Sequence, residues 1–141
     1  MNMQLHSRSA EEYLEAIWLS EEGGEPLARI NRIARWLAVS KPSVVEMLKK
    51  LEKYRYLSYH PRRGVRLTNK GKQRAKQIVR NHRLMEALMK NVLHLEIEEE
   101  AACGFEHYIT KEFADKICTA MDHPRFCPHG KKIPHGQCCK T

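Results

Sequence analysis

A mainly α-helical chain with one small β-hairpin near its middle is the fold class this sequence predicts, from three observations. Apolar residues recur at helical spacing through most of the chain, with capping residues where the runs begin. The exception is a pair of short alternating runs, Leu57-Ser58-Tyr59 and Val65-Arg66-Leu67, around His60-Pro61-Arg62-Arg63-Gly64. Proline and glycine in that spacer mark a hairpin turn. The third observation is a block of charge. From Arg29 to Arg83, 17 Lys and Arg face only two acids, Glu46 and Glu52, a surplus of fifteen in a 141-residue chain whose net charge is +8.

That length allows one compact unit or two small ones and excludes a large multidomain enzyme. No apolar run approaches the ~20 residues that span a bilayer, and Met1 to Ala10 lacks the apolar core of a signal peptide. A cytoplasmic protein without a membrane partner is expected. Five cysteines, at 103, 118, 127, 138 and 139, are an odd number and cannot all pair within the chain. In a reducing compartment they are expected free, reactive or metal-bound.

Each element has a local reason. Ser9-Ala10-Glu11-Glu12 has the form of a capping box ahead of Tyr13, Leu14, Ile17 and Trp18, so a helix is expected from about Ala10 to Ser20, stopped by Gly23-Gly24 and Pro26. Ile30, Ile33, Ala34 and Leu37 make one face of a short helix that Asn31 can cap. After a break at Ala38-Val39, Ser40 caps a second helix with Pro42 in its first turn, where the missing N–H costs nothing. That helix turns Val44, Leu48 and Leu51 inward and ends near Tyr54-Arg55. The hairpin follows. Thr68 then caps a long helix to about Lys90 that tolerates Gly71, and further helices are expected over about 97–102 and 103–121. From His123 onward Pro, Gly, His and Cys dominate, and the tail is irregular unless something ties it down.

Two short helices joined by a tight break form a helix-turn-helix, and the hairpin with arginines at its tip forms a wing. A basic block on this arrangement points to double-stranded DNA, because each neutralised phosphate releases condensed counterions. Residues 1–73 are therefore read as a winged helix-turn-helix DNA-binding domain, and 74–141 as a helical domain with a Cys/His-rich tail. Lys41, Pro42, Ser43, Glu46, Lys49 and Lys50 belong to the exposed side of the second helix. Ser43 and Glu46 are suited to base edges; Lys49, Lys50, Arg62 and Arg63 suit phosphates, which position without specifying sequence.

The acidic remainder carries different chemistry. Cys103, Glu106 and His107 stand at i, i+3 and i+4 and project from one helix face. His82 and Glu86 are an i, i+4 pair, and Glu12 and Glu15 an i, i+3 pair. Thiolate, imidazole and carboxylate together favour iron, nickel, cobalt or zinc over magnesium and calcium. Taken pair by pair, a surface ion pair or a core cysteine explains each as well.

In order along the chain, Glu11-Glu12-Tyr13-Leu14-Glu15, Ala38-Val39-Ser40-Lys41-Pro42-Ser43-Val44, Gly64-Val65-Arg66-Leu67-Thr68, Asn81-His82-Arg83-Leu84-Met85-Glu86, Cys103-Gly104-Phe105-Glu106-His107 and the His123-Pro124 to Ile133-Pro134 stretch resemble the diphtheria-toxin-repressor family of iron- and manganese-dependent regulators. The resemblance runs from about Ser9 to Pro134. It implies a winged-helix domain followed by a metal-binding and dimerisation domain, and a homodimer that binds operator DNA when loaded with Fe²⁺ or Mn²⁺ and shuts off metal uptake. It also implies a regulatory site of Cys103, Glu106, His107 and Glu12, and an ancillary site of His82 and Glu86, with Glu99 at a position that is histidine in some iron-responsive members. Glu15 falls where the manganese branch places a ligand. The iron branch has methionine in place of Glu12, and the manganese branch glutamate in place of Cys103, so the ligand set is a hybrid. The two-domain form, without the SH3-like third domain of longer members, is expected.

Iron is the expected metal, with Mn²⁺ the alternative and Ni²⁺, Co²⁺ or Zn²⁺ as substitutes, because a thiolate gives Mn²⁺ little. In the tail, Cys127, His129, His135, Cys138 and Cys139 offer soft ligands for a structural Zn²⁺. A redox-sensing winged-helix DNA binder using Cys103 or the tail cysteines is the competing class. No H-E-x-x-H helix or nucleophile elbow occurs, so neither enzymatic activity nor a small-molecule substrate is expected.

Overall fold

The computed structural model describes residues 7–139 and divides into two compact units, Met1–Ala75 and Lys76–Thr141. In the first, α1 (Arg8–Glu22) begins at Ser7, whose hydroxyl accepts the Ala10 N–H at 3.1 Å. The cap lies two residues earlier than expected, so Ser9 is inside the helix and its capping box does not form. Arg29, not Asn31, precedes α2 (Ile30–Leu37), and no side chain caps it. Ala38 closes α2 in the left-handed region at φ 54°. The Ser40 hydroxyl then accepts the Ser43 N–H at 3.3 Å to start α3 (Lys41–Lys53), with Pro42 in the first turn as expected.

Strands β1 (Leu57–His60) and β2 (Gly64–Leu67) pair antiparallel, with Leu57 opposite Leu67 and His60 opposite Gly64. Alternation along them sends Leu57, Val65 and Leu67 into the core and leaves Ser58 and Arg66 in solvent. Those residues join Leu14, Ile17, Val44, Leu48 and Leu51 in one apolar cluster. Val44, Leu48, Leu51 and Val65 have no exposed surface at all. Burial of this kind stabilises by about 1.5–3 kcal/mol per side chain, which fixes the angle at which α3 and the hairpin stand.

The Thr68 hydroxyl accepts the Gly71 N–H at 3.2 Å and opens α4 (Asn69–Ala87), continued by a π-helical turn over Leu88–Val92. Gly71 is required there, because a Cβ would overlap the Tyr56 carbonyl oxygen. The second unit adds α5 (Glu99–Glu106) and α6 (Lys111–Ala120). One helix from Cys103 to Met121 was expected; instead Thr110 accepts the Phe113 N–H at 3.1 Å and starts α6 afresh. Cys103 to His107 thus close α5. His107 keeps right-handed helical dihedrals at its C-cap, so the i, i+3, i+4 face survives.

Residues 123–139 of the tail turn back on themselves. Cys127 N–H donates to Lys131 O at 2.8 Å and Ile133 N–H to Arg125 O at 2.7 Å. This turn buries Cys127 and Ile133 against Leu84, Ala114 and Cys118. Among the described residues no helix is long and apolar enough to cross a membrane.

Candidate functional site

Helix α4 carries His82 and Glu86 one turn apart, and α5 brings Glu99, Cys103 and Glu106 to them. His82 Nδ1 lies 2.7 Å from Glu106 Oε2 and 3.8 Å from Cys103 Sγ. Its Nε2 lies 2.7 Å from Glu86 Oε1 and 3.4 Å from Glu99 Oε2. Glu106 Oε1 in turn meets His107 Nε2 at 3.0 Å. Where the resemblance implies two separate ligand sets, His82 belongs to both neighbourhoods here.

The electrostatics are those of a site built for positive charge. Glu86 and Glu106 are 4% and 1% exposed, and buried carboxylates persist when paired or bound to a metal. Burial alone would lower the His82 pKa, but hydrogen bonds to Glu106 and Glu86 and their charges reverse that and raise it to about 11. For Glu86 burial works upward, and hydrogen bonding and charge from His82 win, holding its pKa below the usual range.

The donor set fits a divalent transition metal. His82, Cys103 and Glu106 hold their ligand atoms within 4.8 Å of one another, and so do His82, Glu86 and Glu99. Nitrogen, sulfur and carboxylate oxygen together are a ligand set for iron and its neighbours.

Two residues that the sequence assigns to a tail zinc site lie beside Glu86 in the structure. His129 Nδ1 lies 3.0 Å from Glu86 Oε2 and its Nε2 3.6 Å from Glu99 Oε1, and Cys127 groups with Glu86 and His129. The tail turn at Cys127–Gly130 folds them back onto α4, a contact spanning 43 residues that spacing could not reveal. His135 is exposed and joins no donor group among the described residues. Cys138 and Cys139 meet Cys118 and His123 instead. There burial pushes the Cys118 thiol up to about 12. Cys139 is drawn down to about 7 against its partial burial, by hydrogen bonds with Gly136 backbone, His123 and its neighbouring thiols. Glu12 and Glu15 lie on α1 in the first unit, where Glu12 pairs with Arg8 at 3.1 Å.

The first unit carries the basic face. Lys41, Pro42, Ser43, Glu46, Lys49 and Lys50 are exposed on α3, and Arg62 and Arg63 are exposed at the wing tip. A concave pocket of about 380 Å³ lies between them, lined by Arg29, Lys41, Arg62 and Arg63 among others. Arg29, counted in the basic block but not among the expected DNA contacts, lines this pocket with them. The Ser43 hydroxyl lies 2.8 Å from the Ser40 hydroxyl and serves the cap.

A winged helix with a basic face, on a chain whose helical unit gathers imidazole, thiolate and carboxylate donors, defines the class of metal-responsive DNA-binding regulators. The chain belongs to the iron-dependent repressor family: its N-terminal DNA-binding domain profile matches residues 6–65, and its metal-binding and dimerisation domain profile matches residues 68–135. The chain is 34% identical over 129 residues to the iron-dependent repressor IdeR of Mycobacterium leprae, covering 89% of this chain and 55% of that protein. It is 39% identical over 114 residues to the transcriptional regulator MntR of Bacillus subtilis, covering 77% of each. The solved structure of the manganese regulator SloR superposes with a TM-score of 0.77 at 34% identity, over 90% of this chain and 60% of that one. The chain thus spans little more than half the length of IdeR.

Proposed function

We propose that this protein is a metal-dependent transcriptional repressor that binds operator DNA as a homodimer when loaded with a divalent transition metal, with Fe²⁺ as the physiological effector. The observation that carries the reading is the buried His82–Glu86–Glu106 network with Cys103 beside it, in a chain that also bears a basic winged helix. A bound divalent cation supplies two positive charges to that network. Cys103, Glu106 and His107 hold it, with Glu12 and Glu15 as the α1 ligands the family resemblance assigns; His82, Glu86 and Glu99 form the ancillary set, to which His129 and Cys127 are added. Phe105, Tyr108 and Phe113, 52–78% exposed in the helical unit, support an apolar pairing surface of the kind a homodimer covers.

Lys49, Lys50, Arg62, Arg63 and Arg29 meet phosphates in this reading, and Glu46 reads a base edge by accepting from a cytosine amino group. Cys103 sets the metal preference, since one soft donor among hard carboxylates favours Fe²⁺ over Mn²⁺. Selection of duplexes from a random pool by the full chain, run anaerobically with Fe²⁺, Mn²⁺, Ni²⁺, Zn²⁺ or chelator, tests the function. A common sequence enriched with metal and lost with chelator is expected; the same enrichment under chelator would overturn it.

A further inference from the structure

Four donors outside the regulatory cluster converge at the end of α6. Cys118 Sγ lies 3.5 Å from His123 Nδ1 and 3.6 Å from Cys139 Sγ, and Cys138 Sγ lies 3.8 Å from Cys139 Sγ. All four ligand atoms lie within 4.8 Å of one another, and all the cysteines are free thiols. A tetrahedral zinc with Zn–S near 2.3 Å and Zn–N near 2.0–2.1 Å has sulfur–sulfur edges of about 3.8 Å and sulfur–nitrogen edges of about 3.6 Å. Three of the six edges match that polyhedron, and the other three lie within 4.8 Å. Three sulfurs and one imidazole nitrogen are also the donor set of closed structural zinc sites.

The surroundings point the same way. Arg80 is 1% exposed; it pairs with Asp115 at 2.8 Å and donates an N–H to Cys138 Sγ at 3.2 Å. A buried guanidinium bonded to sulfur is the outer-shell partner a thiolate-rich, net negative metal site needs. Gly136 lets the tail backbone reach this position, since a Cβ there would overlap the Arg80 guanidinium. The short 3₁₀ turn Gln137–Cys139 then aims two consecutive cysteines at α6.

We propose that Cys118, His123, Cys138 and Cys139 form a structural zinc site that fastens the C-terminal tail to α6, with Arg80 holding the Cys138 sulfur. Its ligands are separate from those of the regulatory cluster, so it stands whether or not metal controls DNA binding. In the untagged full chain, dialysed against a mild chelator, one zinc equivalent is expected by elemental analysis. Glu106→Gln should keep it, and the double variant Cys138→Ser with Cys139→Ser should lose it. With a single equivalent of Co²⁺ in its place and the regulatory cluster emptied by the chelator, the sulfur-to-cobalt charge-transfer band should fall by about one third in Cys139→Ser, one sulfur of three, and persist in Cys103→Ser. A parent chain that retains no zinc, a double variant that keeps it, or a cobalt band that disappears with Cys103→Ser would each overturn the site.

Discussion

The two units reach stability by different routes. The first closes around one apolar cluster that runs from Ala10 to Ala75. The second has two small apolar clusters, one containing Leu84, Ala114 and Ile133 and the other Met85, Met89 and Ala102. It also buries Arg80, Asn81, Arg83, Glu86 and Glu106, whereas among the described residues of the first unit the buried polar group is Glu11, paired with Arg74. Apolar burial tolerates small errors in position, whereas a buried charge without its partner costs the full desolvation. In the proposed function, the unit that presents a fixed shape to DNA rests on the first principle. The unit proposed to respond to an ion rests on the second, so its order depends on which charges are matched.

The largest effect should come from the polar unit. Arg80→Met removes the partner of Asp115 and the donor to Cys138, and breaking a buried pair costs about 3–5 kcal/mol. Denaturant unfolding followed by tail cleavage should show the loss in the second unit. A loss below 1 kcal/mol would mean that the guanidinium is not needed there.

Leu48→Ala empties a fully buried position in the first unit and should cost about 2–5 kcal/mol, read by chemical denaturation. Arg80→Met should also lower the retained zinc, since it removes the donor to Cys138, whereas Leu48→Ala should not change metal content. If both variants lost metal equally, the distinction between an apolar and an ion-responsive unit would fail.

A smaller loss is expected at the DNA face. Arg62→Ala or Arg63→Ala should weaken binding on every duplex alike and reduce the slope of affinity against salt by about one unit. An unchanged slope would remove the wing from the interface. Smallest is Thr68→Ala, which deletes the hydroxyl that caps α4 and should cost about 1 kcal/mol, seen as a shift in thermal midpoint with DNA affinity retained.

The same contrast governs what could be read from sequence. Ser40, Pro42 and the Pro61–Gly64 turn act on their own neighbours, so α3 and the wing were legible within a residue or two. The Cys103–His107 face was legible because helical spacing is local. Lost to sequence were contacts that depend on chain return: His82 against Glu106, 24 residues on, His129 against Glu86, and Cys118 against Cys139, 21 residues on. The tail has no periodicity, so its cysteines and histidines gave a ligand inventory without partners. The break before α6 was missed because apolar spacing runs on through Ile109 and only the Thr110 hydroxyl marks the restart.

The central claim, that charge matching in the polar unit governs DNA binding by the apolar one, has a direct test. Fluorescence anisotropy on a duplex selected with metal would be measured across an anaerobic Fe²⁺ titration, for the parent chain and Glu106→Gln. The account predicts that the parent binds only with metal, that the variant needs at least about tenfold more, and that the salt slope at saturation is the same for both. Equal activation curves, or full binding by the parent under chelator, would contradict it.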